Sequence, residues 1–273
     1  MNLDAETRPS PMADPARLAT GIRLKAAEMI APQGFGYLGQ ALSAAEQLAA
    51  VFSVLDWDRD KFVCSPGHYI IAPYAAAGAL GLLAQEDLGS YGQNGSRLEA
   101  IGTESSPIVD YTCGSLGQGL SAAAGFALAN KLRGSTGRVY ALVSDGEMEE
   151  GQTWEAAIFA AHHQLGQLTV LLDANNSQVD GPVDSITTLE PIADKWRAFG
   201  WHVLDIDGHD ITAVSAALAE AALEARPSVI VCRTSTVHGL DCLPEDADGH
   251  FIKLPPQLAT EAIAELTRKL ETR

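Results

Sequence analysis

The chain has 273 residues, 47% of them hydrophobic and only 6% aromatic, which suits a large core of closely packed helices on a sheet. A formal net charge of −17 argues against nucleic acid or an anionic membrane surface as partner. It leaves room for a phosphorylated ligand whose charge a metal neutralises.

Residues 1–14 are polar and contain proline, which predicts a loose N-terminal arm before a single domain over 15–273. The arm has no basic start and no apolar core, so it does not read as a signal peptide. A first helix is expected over Arg17–Ala31, then a Gly-rich loop from Gln33 to Gln40. Ser43 and Glu46 form an S-x-x-E capping box, predicting a helix that runs to Leu55. Lys61–Ser65 reads as a short strand, and Pro73 opens a helix expected to reach Gln85. Tyr69–Ala84, the most apolar stretch, is short for a membrane span and reads as buried. Gly89–Gly95 is a loop, and Gly119–Leu132 a helix ending before Gly134. Strand, helix and strand follow at Val139–Val143, Thr153–Leu165 and Leu168–Asp173. Trp201–Ile206 and Val229–Arg233 are further strands, with a helix capped by Asp210 between them. Gln257–Leu270 is an amphipathic helix. Alternating helices and buried strands give an α/β fold, a mostly parallel sheet with helices on both faces.

The stretch Ser144–Gly181 carries the chemistry. Asp145 and Asn175 stand 30 positions apart, each at the end of an apolar run. Parallel strands joined by a helix end at the same edge of the sheet, the edge where open α/β sheets bind ligands. A carboxylate and an amide oxygen there are hard ligands for Mg²⁺ or Ca²⁺, and Mg²⁺ commonly completes its shell with phosphate. A diphosphate carried on a metal is implied.

The same stretch resembles the thiamin diphosphate motif of transketolases, Gly-Asp-Gly followed about thirty residues later by Asn. The first Gly of the motif is Ser144 here. The resemblance implies the thiamin diphosphate-binding fold, with Asp145, Asn175 and the Ser177 carbonyl as metal ligands. Gly146, Glu147 and Val179 are implied near the cofactor. Phe62-Val63-Cys64-Ser65-Pro66-Gly67-His68 is similar to the family's Arg-Phe-Val-Leu-Ser-x-Gly-His segment, which puts His68 against cofactor and substrate. Thr112 to Leu120 is similar to Thr-Gly-Ser-Leu-Gly-Gln-Gly-Leu; it implies Gly114, Ser115 and Leu116 at the cofactor, opening a helix whose free N–H groups can serve an anion. A dinucleotide loop is disfavoured, because the glycines run G-x-x-G-x-G and no strand is expected directly before them. Glu150 and Glu155 fall on the family's acidic pair linking two cofactor sites across a subunit contact. His250 is placed at the diphosphate and reacting carbon, with His238 as rival; His162 and His163 read as structural.

Two departures stand out. Aligned through Leu42 and Ser43, Tyr37 occupies the position of a family His used for proton transfer and substrate contact. A phenol donates and accepts a hydrogen bond but is a poor base at neutral pH. A second family His, expected near Ile101-Gly102, is absent. Both serve the sugar more than the cofactor, so an altered donor or acceptor is expected, one that could be carrier-bound. The resemblance covers about Gly21–Leu266, the diphosphate-binding half of a transketolase. It implies a separately encoded C-terminal subunit carrying the pyrimidine domain, assembled as a heterotetramer. The reaction implied is transfer of a two-carbon ketol group. Alternatives are half of a 2-oxo acid decarboxylating thiamin enzyme and a non-catalytic scaffold subunit. The four cysteines, Cys64, Cys113, Cys232 and Cys242, have no C-x-x-C or zinc spacing; three are expected reduced and buried, in a cytoplasmic protein.

Overall fold

The computed structural model describes residues 14–244 and 247–272. Of the arm expected over 1–14, only Asp14 falls among them, and it caps the first helix through its side chain.

Six strands form the central sheet: β2 (Lys61–Pro66), β3 (Tyr111–Cys113), β4 (Val139–Ser144), β5 (Leu168–Ala174), β8 (His202–Asp207) and β9 (Ser228–Arg233). Their order is β3-β2-β4-β5-β9-β8, and every pairing is parallel. Every residue of β4 and β5 is buried, as expected of strands covered on both faces. Two short pairs lie apart from this sheet: β1 (Phe35–Gly36) with β10 (Ile252–Lys253), and β6 (Ser177–Gln178) with β7 (Gly181–Pro182).

One core layer holds α1 (Pro15–Ile30), α2 (Leu38–Ser43), α3 (Ala45–Val54), α4 (Ile71–Ala79), α10 (Ile211–Ala221) and α11 (Pro256–Glu271). The other holds α6 (Gln118–Arg133), α7 (Gly151–His162) and α9 (Ile192–Ala198). Two four-residue helices, α5 (Gln85–Leu88) and α8 (Val183–Ile186), complete the set. Among the described residues no helix is long and apolar enough to cross a membrane.

The structure corrects four expectations. The Ser43–Glu46 capping box does not form: α2 ends at Ser43, and α3 is preceded by Ala44 with no side-chain cap. Ser43 Oγ instead donates to Asp173 at 2.5 Å and Glu46 pairs with Arg23, so tertiary polar contacts displaced the local one. The helix expected over Pro73–Gln85 is Ile71–Ala79, preceded by a 3₁₀ turn at Gly67–Ile70; Gly81, at φ 74°, turns the chain away. A strand, β3, does end directly before Gly114. It is short, polar and paired only with β2, so it left no apolar run to read. Finally, only Cys64 and Cys232 are buried; Cys113 and Cys242 are half-buried, and all four are free.

Candidate cofactor site

The carboxyl ends of β2, β4, β5 and β9 converge on one edge. Beyond β4, Asp145 is 3% exposed and sits among backbone donors: Oδ2 accepts from Asn176 N at 2.7 Å and Oδ1 from Gly146 N at 2.9 Å. The first of these bonds ties the loop after β5 to the end of β4. Burial pushes the Asp145 carboxyl up to about 7, the hydrogen bonds from Asn176 and Gly146 oppose this, and Asp173 nearby adds to it. The donors that meet its two oxygens are neutral backbone N–H groups, and a buried carboxylate so placed is the kind of group that a bound divalent ion would stabilise.

Asn175 is held by its amide nitrogen. Nδ2 donates to Tyr69 Oη at 2.8 Å and to Asp173 Oδ2 at 2.9 Å, while Oδ1 accepts from Ser177 N at 2.9 Å. Asp173, wholly buried, is the hub behind it. Its Oδ2 accepts from Ser43, Tyr69 and Asn175, and its Oδ1 from Gln47 at 2.8 Å and Thr234 at 2.6 Å. A buried carboxylate satisfied only by neutral donors fixes five side chains around it. Sequence reading stopped at Asp173 as a strand end; a lone acid closing a buried apolar strand was the available signal.

Over this floor stands an aromatic cluster. The ring of Tyr37 lies 5.3 Å from His68, 5.9 Å from His250 and 5.2 Å from Phe251, and the two histidines are 5.1 Å apart. Burial, then the neighbouring His250, lowers His68 to about 3, and burial lowers His250, opposed by a hydrogen bond to the Ser177 backbone and by the charge of Asp248. The two imidazoles are therefore neutral at pH 7. Close backbone contacts bring these segments together. A Cβ on Gly67 would meet Cys113 O at 2.6 Å, and one on Gly39 would meet Gly249 O at 1.8 Å. Only glycine lets the His68 turn reach the Gly114 loop, and α2 reach His250.

The other expected residues divide. Gly114 and Ser115 are exposed and Leu116 half-buried, above Gly117, whose N–H donates to Glu147 at 2.8 Å. Glu147 is fully buried; its carboxylate also accepts from Ser65 Oγ at 2.7 Å and the Ser144 N–H, tying the ends of β2 and β4 to the start of α6. Burial raises it to about 7, opposed by these donors. Gly146 has room beside it, with only Gln178 within 4 Å of an added Cβ. Val179, at the β6–β7 turn, is 75% exposed. Glu150, just before α7, and Glu155, within it, are exposed. His238 does not share the site with His250: it stacks on His209 at 3.6 Å, in a separate cleft.

That cleft holds the one group of three His, Cys, Asp or Glu ligand atoms found within reach of a common ion among the described residues: Glu46, His209 and His238. It is already engaged. Arg23 grips both oxygens of Glu46, at 2.7 and 2.6 Å, and His209 lies between Glu46 and the Ser235 N–H. Asp145, Asn175 and the Ser177 carbonyl, all neutral or acidic oxygens without a cation, are the better fit to a hard divalent metal.

The family described as "Transketolase, thiamine diphosphate binding domain" matches residues 15–270. A putative uncharacterized transketolase family protein of Sinorhizobium fredii is 40% identical over 257 residues, covering 90% of this chain and 92% of that protein. The 6-deoxy-6-sulfo-D-fructose transketolase subunit SqwG of a Clostridium species is 37% identical over 262 residues, covering 92% and 95%. Among solved structures, transketolase from Leishmania mexicana superposes with a TM-score of 0.82 at 30% identity, over 95% of this chain and 42% of that one. The chain thus spans about two fifths of such a transketolase and nearly the whole length of the subunit-sized relatives. It belongs to the transketolase family, as a thiamine diphosphate binding domain.

Proposed function

We propose that this chain is the diphosphate- and metal-binding subunit of a two-subunit transketolase-like enzyme, a transferase moving a two-carbon ketol group from a ketose-type donor to an acceptor. The observation that carries the reading is Asp145. It is a buried carboxylate raised to about 7 and met by backbone N–H groups, beside an Asn175 whose amide nitrogen is clamped away. Asp145, Asn175 and the Ser177 carbonyl would hold Mg²⁺, or Ca²⁺ in its place. Gly146 leaves room for the diphosphate, with Gly114, Ser115, Leu116 and Val179 flanking it. Thiamin diphosphate would supply the electron sink for breaking the bond next to a ketone. The chain's own residues orient and donate. His68 and His250, neutral at pH 7, are placed to donate hydrogen bonds to substrate oxygens as charge develops there. Tyr37 closes the pocket over them and excludes water.

A separately encoded subunit with the pyrimidine domain is proposed, because relatives of this length carry the word "subunit" in their names. Glu150 and Glu155, exposed at the start of α7, would face a second copy in a heterotetramer. Free cysteines suit a reducing cytoplasm. Named relatives act on 6-deoxy-6-sulfo-D-fructose and on apulose 4-phosphate. With Tyr37 in place of a family His, we extend an altered donor or acceptor to this chain.

Calorimetric titration of thiamin diphosphate and Mg²⁺, into the chain alone and with its partner subunit, tests this. Binding that the Asp145→Ala variant loses by at least about 100-fold is expected, since a first-shell ligand exceeds the 10- to 100-fold of an outer-shell one. No binding in either setting would overturn the reading. Ordinary pentose phosphates as the best substrates would overturn only the altered-donor part.

A further inference from the structure

Gln40 sits in α2, three residues after Tyr37. It is 1% exposed. Its amide nitrogen lies 3.1 Å from the backbone carbonyl of His250 and 3.3 Å from His250 Nδ1. The carbonyl can only accept, so it fixes which end of the amide faces His250: a flipped amide would set two oxygens against each other. With the NH₂ group facing it, Nδ1 must be the accepting nitrogen. The imidazole proton then belongs on Nε2.

A second observation points the same way. Gln40 Oε1 is buried with no hydrogen-bond partner. Leaving an amide oxygen unmet inside a protein costs about 1–3 kcal/mol, and a buried exception of this kind calls for a reason. Leucine would fill the space on α2 without that cost. What a glutamine adds here is the donor at His250. The ring it holds is packed 5.1 Å from His68 and 5.9 Å from Tyr37, inside the cluster above the metal-binding edge. Asp248 accepts from the His250 backbone N–H at 3.0 Å, so the backbone on that side is fixed as well.

We propose that Gln40 is a positioning residue that locks His250 as its Nε2–H tautomer, so that the ring offers a donor, not an acceptor, on the side shared by the Ser177 backbone and the substrate oxygen in the pocket. The part concerning substrate rests on the function proposed above; the tautomer does not. Two consequences follow. His250 acts in this chain as a neutral hydrogen-bond donor to an oxygen that gains negative charge, and it does not accept a proton through Nε2 in the resting state. The donor and its orientation come from α2, the short helix that Tyr37 directly precedes.

The test begins with the free chain. Long-range ¹H–¹⁵N correlation on protein labelled at histidine, near pH 7.5, distinguishes the tautomers, with His250 assigned by its loss in His250→Gln. The expected result is Nε2–H in the unsubstituted chain. Gln40→Glu, whose carboxylate must accept, is expected to reverse it to Nδ1–H; Gln40→Met, similar in size without a donor, should leave a mixture. In the assembled enzyme, Gln40→Met is expected to lower kcat about 10-fold or more with little change in donor KM, the range seen when an orienting partner is removed. Mg²⁺ and thiamin diphosphate should bind it as before. Nδ1–H in the unsubstituted chain would overturn the proposal, and so would a tautomer indifferent to both substitutions. A tautomer that reverses with no change in kcat would overturn the substrate role alone. Failure of the unsubstituted chain to bind the cofactor would fall on the proposed function and leave the tautomer result standing.

Discussion

Two buried acidic centres lie at the same edge of this sheet, and they are built in opposite ways. Glu46 faces a cleft of about 520 Å³ and is 5% exposed. Burial works to raise it, but the His209 hydrogen bond and the Arg23 charge prevail and hold it at about 2. Asp145 opens on a smaller cavity of about 290 Å³ and is as deeply buried, yet it stands at about 7. The difference is in the donors: the Arg23 guanidinium grips Glu46, whereas backbone N–H groups meet Asp145. The first centre is complete within the chain, so its charge contributes to folding. The second is met by neutral backbone donors, and the Arg233 that lines the same cavity is paired to Glu190 and Asp205. On the function proposed above the larger cleft is the less informative one: a perturbed buried acid, not volume, marks the candidate site.

The largest expected effect is at the complete centre. Glu46→Ala leaves Arg23 buried without its partner and should cost about 3–5 kcal/mol of stability, measured by denaturant unfolding. A cost under about 1 kcal/mol would mean that the two centres do not differ as described. Asp173→Asn comes next. It weakens the hub that turns the Asn175 nitrogen away from the metal, and cofactor affinity in the assembled enzyme should fall about 10- to 100-fold. Unchanged affinity would show that the Asn175 amide is fixed by Tyr69 and Ser177 alone.

The remaining effects are in pH. Glu46 is depressed from 4.5 to about 2, so it stabilises the fold above pH 4.5, and that contribution, on the order of 3 kcal/mol, is lost as pH falls towards 2. Asp145 and Glu147 are raised, so each opposes folding of the free chain as pH climbs from about 4 through 7. A metal binds only the ionised Asp145. Between pH 8 and pH 6 its affinity should drop about tenfold, and the thermal shift caused by Mg²⁺ with thiamin diphosphate should shrink accordingly. A thermal shift that is flat across this range would place the titrating carboxylate elsewhere.

How much of this was legible depended on range. The buried runs of β4 and β5 announced themselves, and with them the positions of Asp145 and Asn175, because strand ends in a parallel sheet share an edge. His68 and the Gly114 loop were readable as short segments similar to a known family. What stayed hidden were partnerships across the chain. Ser43 and Glu46 look like a local cap in sequence, yet Ser43 bonds to Asp173, 130 positions away, and Glu46 to Arg23, 23 positions away. Gln40 and His250 are separated by 210 positions, so nothing local marks their contact. β3 was missed because a three-residue edge strand reading Tyr-Thr-Cys has no apolar period to detect.

The hub at Asp173 joins side chains from α2, α3, the Gly67–Ile70 turn, the end of β5 and the segment after β9. Occupancy of the cofactor site is therefore linked to segments distant in sequence from any metal ligand. A ligand at 100 times its Kd adds about 2.7 kcal/mol to the folded state. Through this junction that gain should spread as slower amide exchange in α3 and at the end of β9, far from the diphosphate. Cofactor binding would then report on the packing of nearly the whole chain, and a substitution that loosens any one of the five segments would register first as weaker binding, before the fold itself gives way.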